Sequence, residues 1–267
     1  FVNSAGRVPF FGRAVLCLDD PRIQEILPRL ADRRIVTYGL SRQSDLMAHQ
    51  VETTPRGSRF RVRQAGEGEL GEIEIPMPGA HNVQNSLAAV AVGLLMGVEF
   101  PTIASTLAAF SGVHRRFEVL GEWQSATVVD DYAHHPTEAA ATLAAAREAF
   151  PRSTLHAVFQ PHLFSRTRDL AEEFGRALLG ADHVLITDIY ASRERPIPGV
   201  SADLIADVAR RSGHRRLERV GDTAAARELL EASVAPGDLV ITLGAGDVYK
   251  LAEELVAAAV PSGEAES

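Results

Sequence analysis

Polar groups able to hold anions or move protons gather in a few short stretches of this chain. One runs Asp130-Asp131-Tyr132-Ala133-His134-His135-Pro136-Thr137-Glu138 and a second Gln160-Pro161-His162-Leu163-Phe164-Ser165-Arg166-Thr167. A third is Asp188-Ile189-Tyr190-Ala191-Ser192-Arg193-Glu194 and a fourth Gly244-Ala245-Gly246-Asp247. Imidazoles exchange protons near neutral pH, and a guanidinium grips phosphate or carboxylate as a fork. Asp130, Asp131, His134 and His135 also make a conceivable metal donor set. Adjacent side chains usually point apart, however, and no second histidine stands at i+4 on a helix or i+2 on a strand. The spacing therefore predicts no metal ligands and points to substrate or phosphate contact, with a purely structural role as the alternative. Thr137 reads as a helix N-cap, and Glu138 suits the positive end of that helix. The Gly244-Ala245-Gly246 turn has amides to offer an anion, but it lacks the third glycine of a dinucleotide fingerprint and reads equally well as a tight turn.

Pro78-Gly79-Ala80-His81-Asn82-Val83-Gln84-Asn85 places polar groups at the mouth of an apolar helix. Asn82 and Asn85 are three apart and so share a face. A carboxamide can donate to and accept from one edge of adenine at once, which makes this mouth a candidate nucleobase site, with Asn82 as a plain N-cap the alternative. Arg115-Arg116 suits a phosphate, or is a solvated basic pair. No G-x-x-x-x-G-K-[ST] loop occurs, so these residues contain no Walker cradle for a triphosphate.

Regular elements must position these groups. Strand or helix signals in the first half fall at Arg13–Leu18, Pro21–Leu30 and Arg34–Tyr38. Three period-two segments follow at Leu46–Glu52, Arg59–Gln64 and Gly71–Ile75, read as antiparallel strands. Then come a helix over His81–Gly97, apolar nearly all round and so expected to be buried, and a short helix over Pro101–Phe110. Glu118–Glu122 reads as the connection between domains. Five strand-then-helix repeats follow. Their strands are Ala126–Val129, Leu155–Phe159, His183–Thr187, Leu217–Val220 and Leu239–Leu243. Their helices are Thr137–Phe150, Arg168–Leu179, Ala202–Arg211, Thr223–Ser233 and Val248–Ala259. Such repeats predict a mostly parallel sheet covered on both faces, with ligands outside the carboxyl ends of the strands, where the polar stretches fall.

The 267 residues are 46% hydrophobic and 23% charged, which excludes bulk disorder and fits two domains. A net charge of -8 sets the overall field against nucleic acid or an anionic membrane. A lone cysteine, Cys17, excludes an internal disulfide and reads as a small buried hydrophobe in a reducing compartment. With no apolar run of membrane-spanning length and no leader, the expected location is the cytoplasm, with no membrane insertion and no nucleic-acid partner. The chain opens Phe1-Val2-Asn3 without Met and is expected to be a fragment; its tail, Pro261–Ser267, is expected to fray.

Taken in order, Pro78 to Asn85, Gly112-Val113-His114-Arg115-Arg116-Phe117-Glu118, Asp130 to Glu138, Phe159 to Thr167 and Gly244 to Asp247 resemble the Mur ligase family, and within it the alanine-adding branch. The resemblance covers essentially the whole chain. It implies an α/β protein: the end of a central mixed-sheet ATPase domain over 1–119, and a Rossmann-like C-terminal domain with a mostly parallel sheet over 120–267. The phosphate loop, the Mg²⁺ ligands and the domain for the UDP-sugar would lie upstream of Phe1. The implied reaction is ATP-dependent joining of L-alanine to UDP-N-acetylmuramate through an acyl phosphate in peptidoglycan synthesis, with this chain an inactive fragment. By resemblance, His81, Asn82, Asn85, Arg116 and Asp131 would bind the nucleotide, Asp131 at the ribose and Arg116 at the γ-phosphate. Arg116, His134 and His135 would be catalytic, and Tyr132, His162 and Arg166 would bind substrate. Leu163 departs from relatives that carry a second arginine there, which places more of the carboxylate clamp on Arg166. The muropeptide-recycling ligase of the same family, a non-catalytic nucleotide-binding module and a metal-dependent hydrolase remain as alternatives.

Overall fold

In the computed structural model, which describes residues 12–30 and 34–259, strand β1 (Arg13–Cys17) runs into Asp20. The expectations for Phe1 and for Pro261–Ser267 lie outside those residues. Asp20 Oδ1 accepts the backbone N–H of Arg22 and Ile23 and so caps α1 (Pro21–Ile26). The expected helix to Leu30 gives way at Leu27–Arg29 to one 3₁₀ turn, where Pro28 has no N–H to continue the ladder. Strands β2 (Arg34–Gly39), β3 (Leu46–Thr54), β4 (Gly57–Gln64) and β5 (Gly68–Ile75) complete a sheet in sequence order. Its first three strands are parallel and its last three antiparallel. On β4 the side chains alternate, Phe60 and Val62 inward and Arg59, Arg61 and Arg63 outward, as a half-buried strand requires.

The inward face packs on α2 (Ala80–Leu95) through Val83, Leu87, Val90 and Ala91, with α3 (Phe100–Ala108) against β5. Contrary to expectation, α2 is not buried all round. Val92, Leu95 and Met96 are exposed among the described residues, because the sheet covers one face of the helix only. Cys17 is partly buried, and burial pushes its thiol up from the ordinary value.

The chain divides into two compact units, Phe1–Ser111 and Gly112–Ser267. The expected division after Val119 falls instead inside a strand, β6 (Glu118–Trp123), because Arg115 and Phe117 are already fastened to the second unit. What reads as a connector is thus an antiparallel edge strand on β7 (Ala126–Asp131).

The other elements of the second unit are α4 (Pro136–Ala149), β8 (Leu155–Phe159), α5 (Phe164–Asp169), α6 (Ala171–Ala177), β9 (His183–Ile186), α7 (Asp203–Arg211), β10 (Leu217–Arg219), α8 (Thr223–Ser233), β11 (Leu239–Leu243) and α9 (Tyr249–Ala259). The sheet order is β10-β9-β8-β11-β7-β6, parallel apart from β6. Leu143, Phe174 and Ile205 of α4, α6 and α7 fill one face, and Leu230, Leu251 and Leu255 of α8 and α9 the other. The chain steps outward from β8 to β10 and returns to lay β11 between β8 and β7. The reversal in strand order falls at β7, β8 and β11, whose carboxyl ends are where open α/β sheets bind ligands.

Candidate active site

The two arginines that the sequence leaves equivalent are separated by the fold. Arg115 and Phe117 have φ of 60° and 46°, in the left-handed region, and both side chains turn inward while Arg116 between them stays open. The Arg115 guanidinium donates to Asp130 Oδ2 at 2.8 Å, Gly244 O at 2.6 Å and Gly246 O at 3.3 Å. It lies 5.0 Å from the Tyr132 ring centre and 4.5 Å from that of Tyr249. One side chain therefore ties the start of the unit to the ends of β7 and β11. The Arg116 side chain is 44% exposed, 3.8 Å from Glu138 Oε1 and 5.7 Å from the Tyr132 ring centre.

The loop after β7 is built from its own polar groups. Asp130 is buried and accepts from Thr242 Oγ1 at 2.5 Å as well as from Arg115. Asp131, which the resemblance places at a ribose, is also buried, and its oxygens accept the backbone N–H of Phe117 and Ala133 at 2.9 and 2.7 Å. It fastens the loop from beneath and is not a free acceptor at the surface. Burial pushes its carboxyl up to about 6, against the pull of those two N–H groups and of Arg116.

The N-cap of α4 is His135, not Thr137. Pro136 takes the first helical position, His135 Nδ1 accepts from Thr137 N, and Glu138 reaches back to the N–H of His134 and His135. Burial alone would raise the Glu138 carboxyl, but the His134 N–H, the His134 ring and Arg116 outweigh it and hold it below its usual range.

Most of the expected substrate and catalytic groups of this unit meet. His134 stands edge-on to Tyr132 and to His162, with centroids 5.0 and 6.1 Å apart. Arg166 Nη1 lies 3.3 Å from His134 O and 3.4 Å from His162 Nδ1. Burial, then Arg166 and His134, push the His162 imidazole down, so it is neutral at physiological pH. Arg166 is on α5, a helix that begins earlier than the sequence indicates, at a Leu163 with φ of 73°. Leu163 N–H donates to Tyr190 O, the Tyr190 ring stacks on His162, and Glu194 accepts both N–H and Oγ–H of Ser165. Tyr190 and Glu194, which carry no distinguishing signal within the Asp188–Glu194 stretch of the sequence, thus brace the loop that carries His162 and Arg166.

The glycine turn is closed by protein. Its carbonyls accept from Arg115, and Gln160 bridges to Asp247 Oδ1 and Val248 N. The turn is tightly packed, and the Gly244 N–H is donated to Asp131 O. A Cβ on Gly246 would fall 2.1 Å from Gln160 Oε1 and 2.7 Å from Tyr190 Cγ. Gly246→Ala is therefore expected to cost about 1–3 kcal/mol by overpacking, read as a lower urea midpoint. Among the described residues no group of three or more His, Cys, Asp or Glu could hold a metal ion.

In the first unit, Gly79, with φ of 101°, occupies the N-cap position of α2. Asn82 is not the cap. It is buried with Nδ2 donating to Pro78 O at 2.9 Å, whereas Asn85 is exposed and His81 partly buried. The two asparagines expected to share an adenine thus differ in access. Gln84 Nε2 donates to Asp19 Oδ2, which also accepts Leu40 N–H and so joins the ends of β1 and β2 to the helix mouth.

Two family models match the sequence, the Mur ligase middle domain over residues 6–93 and the Mur ligase glutamate ligase domain over residues 115–246. The chain belongs to the Mur ligase family. It is 46% identical over 256 residues to a UDP-N-acetylmuramate--L-alanine ligase of Salinibacter ruber, covering 96% of this chain and 54% of the relative. It is 48% identical to the protein of the same name from Anaeromyxobacter dehalogenans, covering 96% and 55%. The structure of UDP-N-acetylmuramate-alanine ligase MurC from Thermotoga maritima superposes with a TM-score of 0.72 at 26% identity, over 92% of this chain and 51% of that one. The chain spans about half the length of the curated relatives it matches. As expected, it carries an α/β fold with a mixed sheet in the middle domain and a largely parallel sheet in the C-terminal domain of this family. No helix is long and apolar enough to cross a membrane among the described residues.

Proposed function

We propose that this chain is the C-terminal half of an ATP-dependent, ADP-forming ligase that joins L-alanine to UDP-N-acetylmuramate in peptidoglycan synthesis. The observation that carries the reading is the gathering of Tyr132, His134, His162 and Arg166, with Arg116 open beside Tyr132, on the ligand-binding rim of a Mur ligase C-terminal domain. In such a reaction ATP phosphorylates the muramoyl carboxylate, the alanine amine attacks the acyl phosphate, and the tetrahedral intermediate collapses to amide and phosphate. The negative charge developing on the transferred and leaving groups calls for fixed cations. Arg116 supplies one through an exposed guanidinium. Arg166, held against His134 O and His162, supplies another beside a neutral imidazole able to accept the proton of an attacking amine.

The resemblance implies ATP and Mg²⁺. His81 and Asn85 at the mouth of α2 offer polar edges suited to adenine, whereas Asn82 is buried and gives one of its Nδ2 hydrogens to Pro78 O. The described residues hold no carboxylate or histidine cluster fit for Mg²⁺, so its ligands would be supplied from outside them.

The test is ADP release by a polypeptide that includes the residues upstream of Phe1, supplied with ATP and UDP-N-acetylmuramate. Turnover that requires L-alanine is the expected result. Turnover with a tripeptide and none with alanine would assign the chain to muropeptide recycling, and ADP formation with neither would refute ligation.

A further inference from the structure

At the end of the second sheet opposite the loops just described, His156 on β8 and His183 on β9 are register partners across the parallel ladder. Their side chains are 0% and 2% exposed. The two Nδ1 atoms lie 2.9 Å apart. His156 Nε2 is 3.1 Å from Asp238 Oδ2, and His183 Nε2 is 2.9 Å from Glu218 Oε2. We propose that this pair is a proton-binding site that holds a single extra proton between its two Nδ1 atoms, as one imidazolium shared by two rings.

The argument is a proton count. Asp238 acts as an acceptor, since Oδ2 also takes the N–H of Ala235 and Oδ1 that of Thr154. Burial would raise its carboxyl, but these hydrogen bonds and His156 hold it below the usual range. His156 Nε2 must therefore carry a hydrogen, and His183 Nε2 must carry one to meet the Glu218 carboxylate. A neutral imidazole has only one N–H. Two neutral rings so arranged would set lone pair against lone pair at the Nδ1 contact, and two cations would set N–H against N–H. Only three hydrogens on the two rings satisfy all three contacts, which is one net positive charge between two carboxylates.

The surroundings disfavour charge on either ring and so limit the pair to one proton. Among the described residues the pair is also faced by Arg216, ahead of β10, and Asp182, ahead of β9, which is itself bound to Arg147 at 2.6 Å. Burial drives both imidazoles down, Arg216 adds to this at each, and Asp238 and Glu218 oppose it. These forces exclude a second proton. The first is retained because without it the Nδ1 contact turns repulsive, and such coupled sites titrate as a pair in two well-separated steps.

This site makes the β8–β9 contact proton-dependent. Burial and Arg216 push both imidazoles down, so the proton is held above about pH 6.5, where unfolded histidines are neutral, only where the Nδ1–Nδ1 contact outweighs them; there the folded pair carries a proton that the unfolded chain lacks. The folded state therefore binds one more proton than the unfolded state, and stability falls as pH rises until the folded pair releases it. The folding equilibrium constant is expected to drop by up to about tenfold per pH unit in that window.

The decisive measurement is a two-bond ¹H–¹⁵N spectrum of the imidazoles in the whole chain at about pH 7.5. Both Nε2 atoms are expected to appear protonated and both Nδ1 atoms midway between protonated and bare. Two bare Nδ1 atoms, or two fully protonated ones, would overturn the proposal. His183→Gln is expected to leave His156 neutral and to remove the pH dependence of the urea midpoint above neutrality; an unchanged slope in a folded variant would count against the site. Should His183→Gln fail to fold, the wild-type spectrum decides alone.

Discussion

Replacing Arg115 with alanine is expected to cost the second unit about 3–5 kcal/mol, the usual result of removing one partner from a buried ion pair. Its side chain is 12% exposed and that of Asp130 only 2%, so the variant strands a carboxylate away from water with Thr242 Oγ1 as its remaining side-chain donor. The carbonyls of Gly244 and Gly246 lose a donor at the same time, and the Tyr132 and Tyr249 rings lose the cation beside them. Urea denaturation followed by circular dichroism should show a much lower midpoint for the Gly112–Ser267 unit. Asp130→Asn made together with Arg115→Ala should recover part of the loss, because no buried charge then remains unpaired. An unfolding free energy for Arg115→Ala within about 0.5 kcal/mol of the parent would show that Arg115 is an ordinary surface residue.

Arg115 also marks how far the sequence could be read. The fold class was open to inspection because buried parallel strands such as Val128-Val129 and Leu239-Val240-Ile241 are apolar runs between helices, and because β4 alternates strictly. β6 was not. It is an edge strand with a bulge between Val119 and Gly121, and exposed Val119 breaks any period-two pattern. The start of α5 was hidden too, since Leu163 enters it with positive φ and no side-chain cap.

Within the site, residue type revealed where polar groups gather but not which of them are already taken. Asp131 and Asn82 look like free ligands in the sequence; both are buried, Asp131 accepting the N–H of Phe117 and Ala133 and Asn82 donating to Pro78 O. Arg115 differs from Arg116 through acceptors more than a hundred residues away, Gly244 and Gly246. Local pattern carries no trace of such partners. Thr137 reads as the cap for a smaller reason: Thr is the stronger capping type, but Pro136 fixes the first helical position and leaves the cap to His135 before it.

Arg116→Ala should behave in the opposite way to its neighbour. The side chain is 44% exposed and its ion pair with Glu138 at 3.8 Å is of the surface kind worth about 0–1 kcal/mol, so the urea midpoint should hardly move. On the proposed function, however, an exposed guanidinium beside Tyr132 would meet charge that develops on a transferring phosphoryl group. Its loss is then expected to lower kcat by about 10²–10³-fold, the range found when one electrostatic donor is removed from a reacting centre. Arg116→Lys should recover only part of this, since an ammonium keeps the charge and loses the planar fork. The Glu138 carboxyl gives an independent reading in the chain itself: Arg116 helps to hold it down, so its titration should move up toward the ordinary carboxylate range in Arg116→Ala. A full-length variant with unchanged kcat, in which Glu138 has nonetheless shifted, would show that Arg116 serves the local charge balance of the loop and not the reaction.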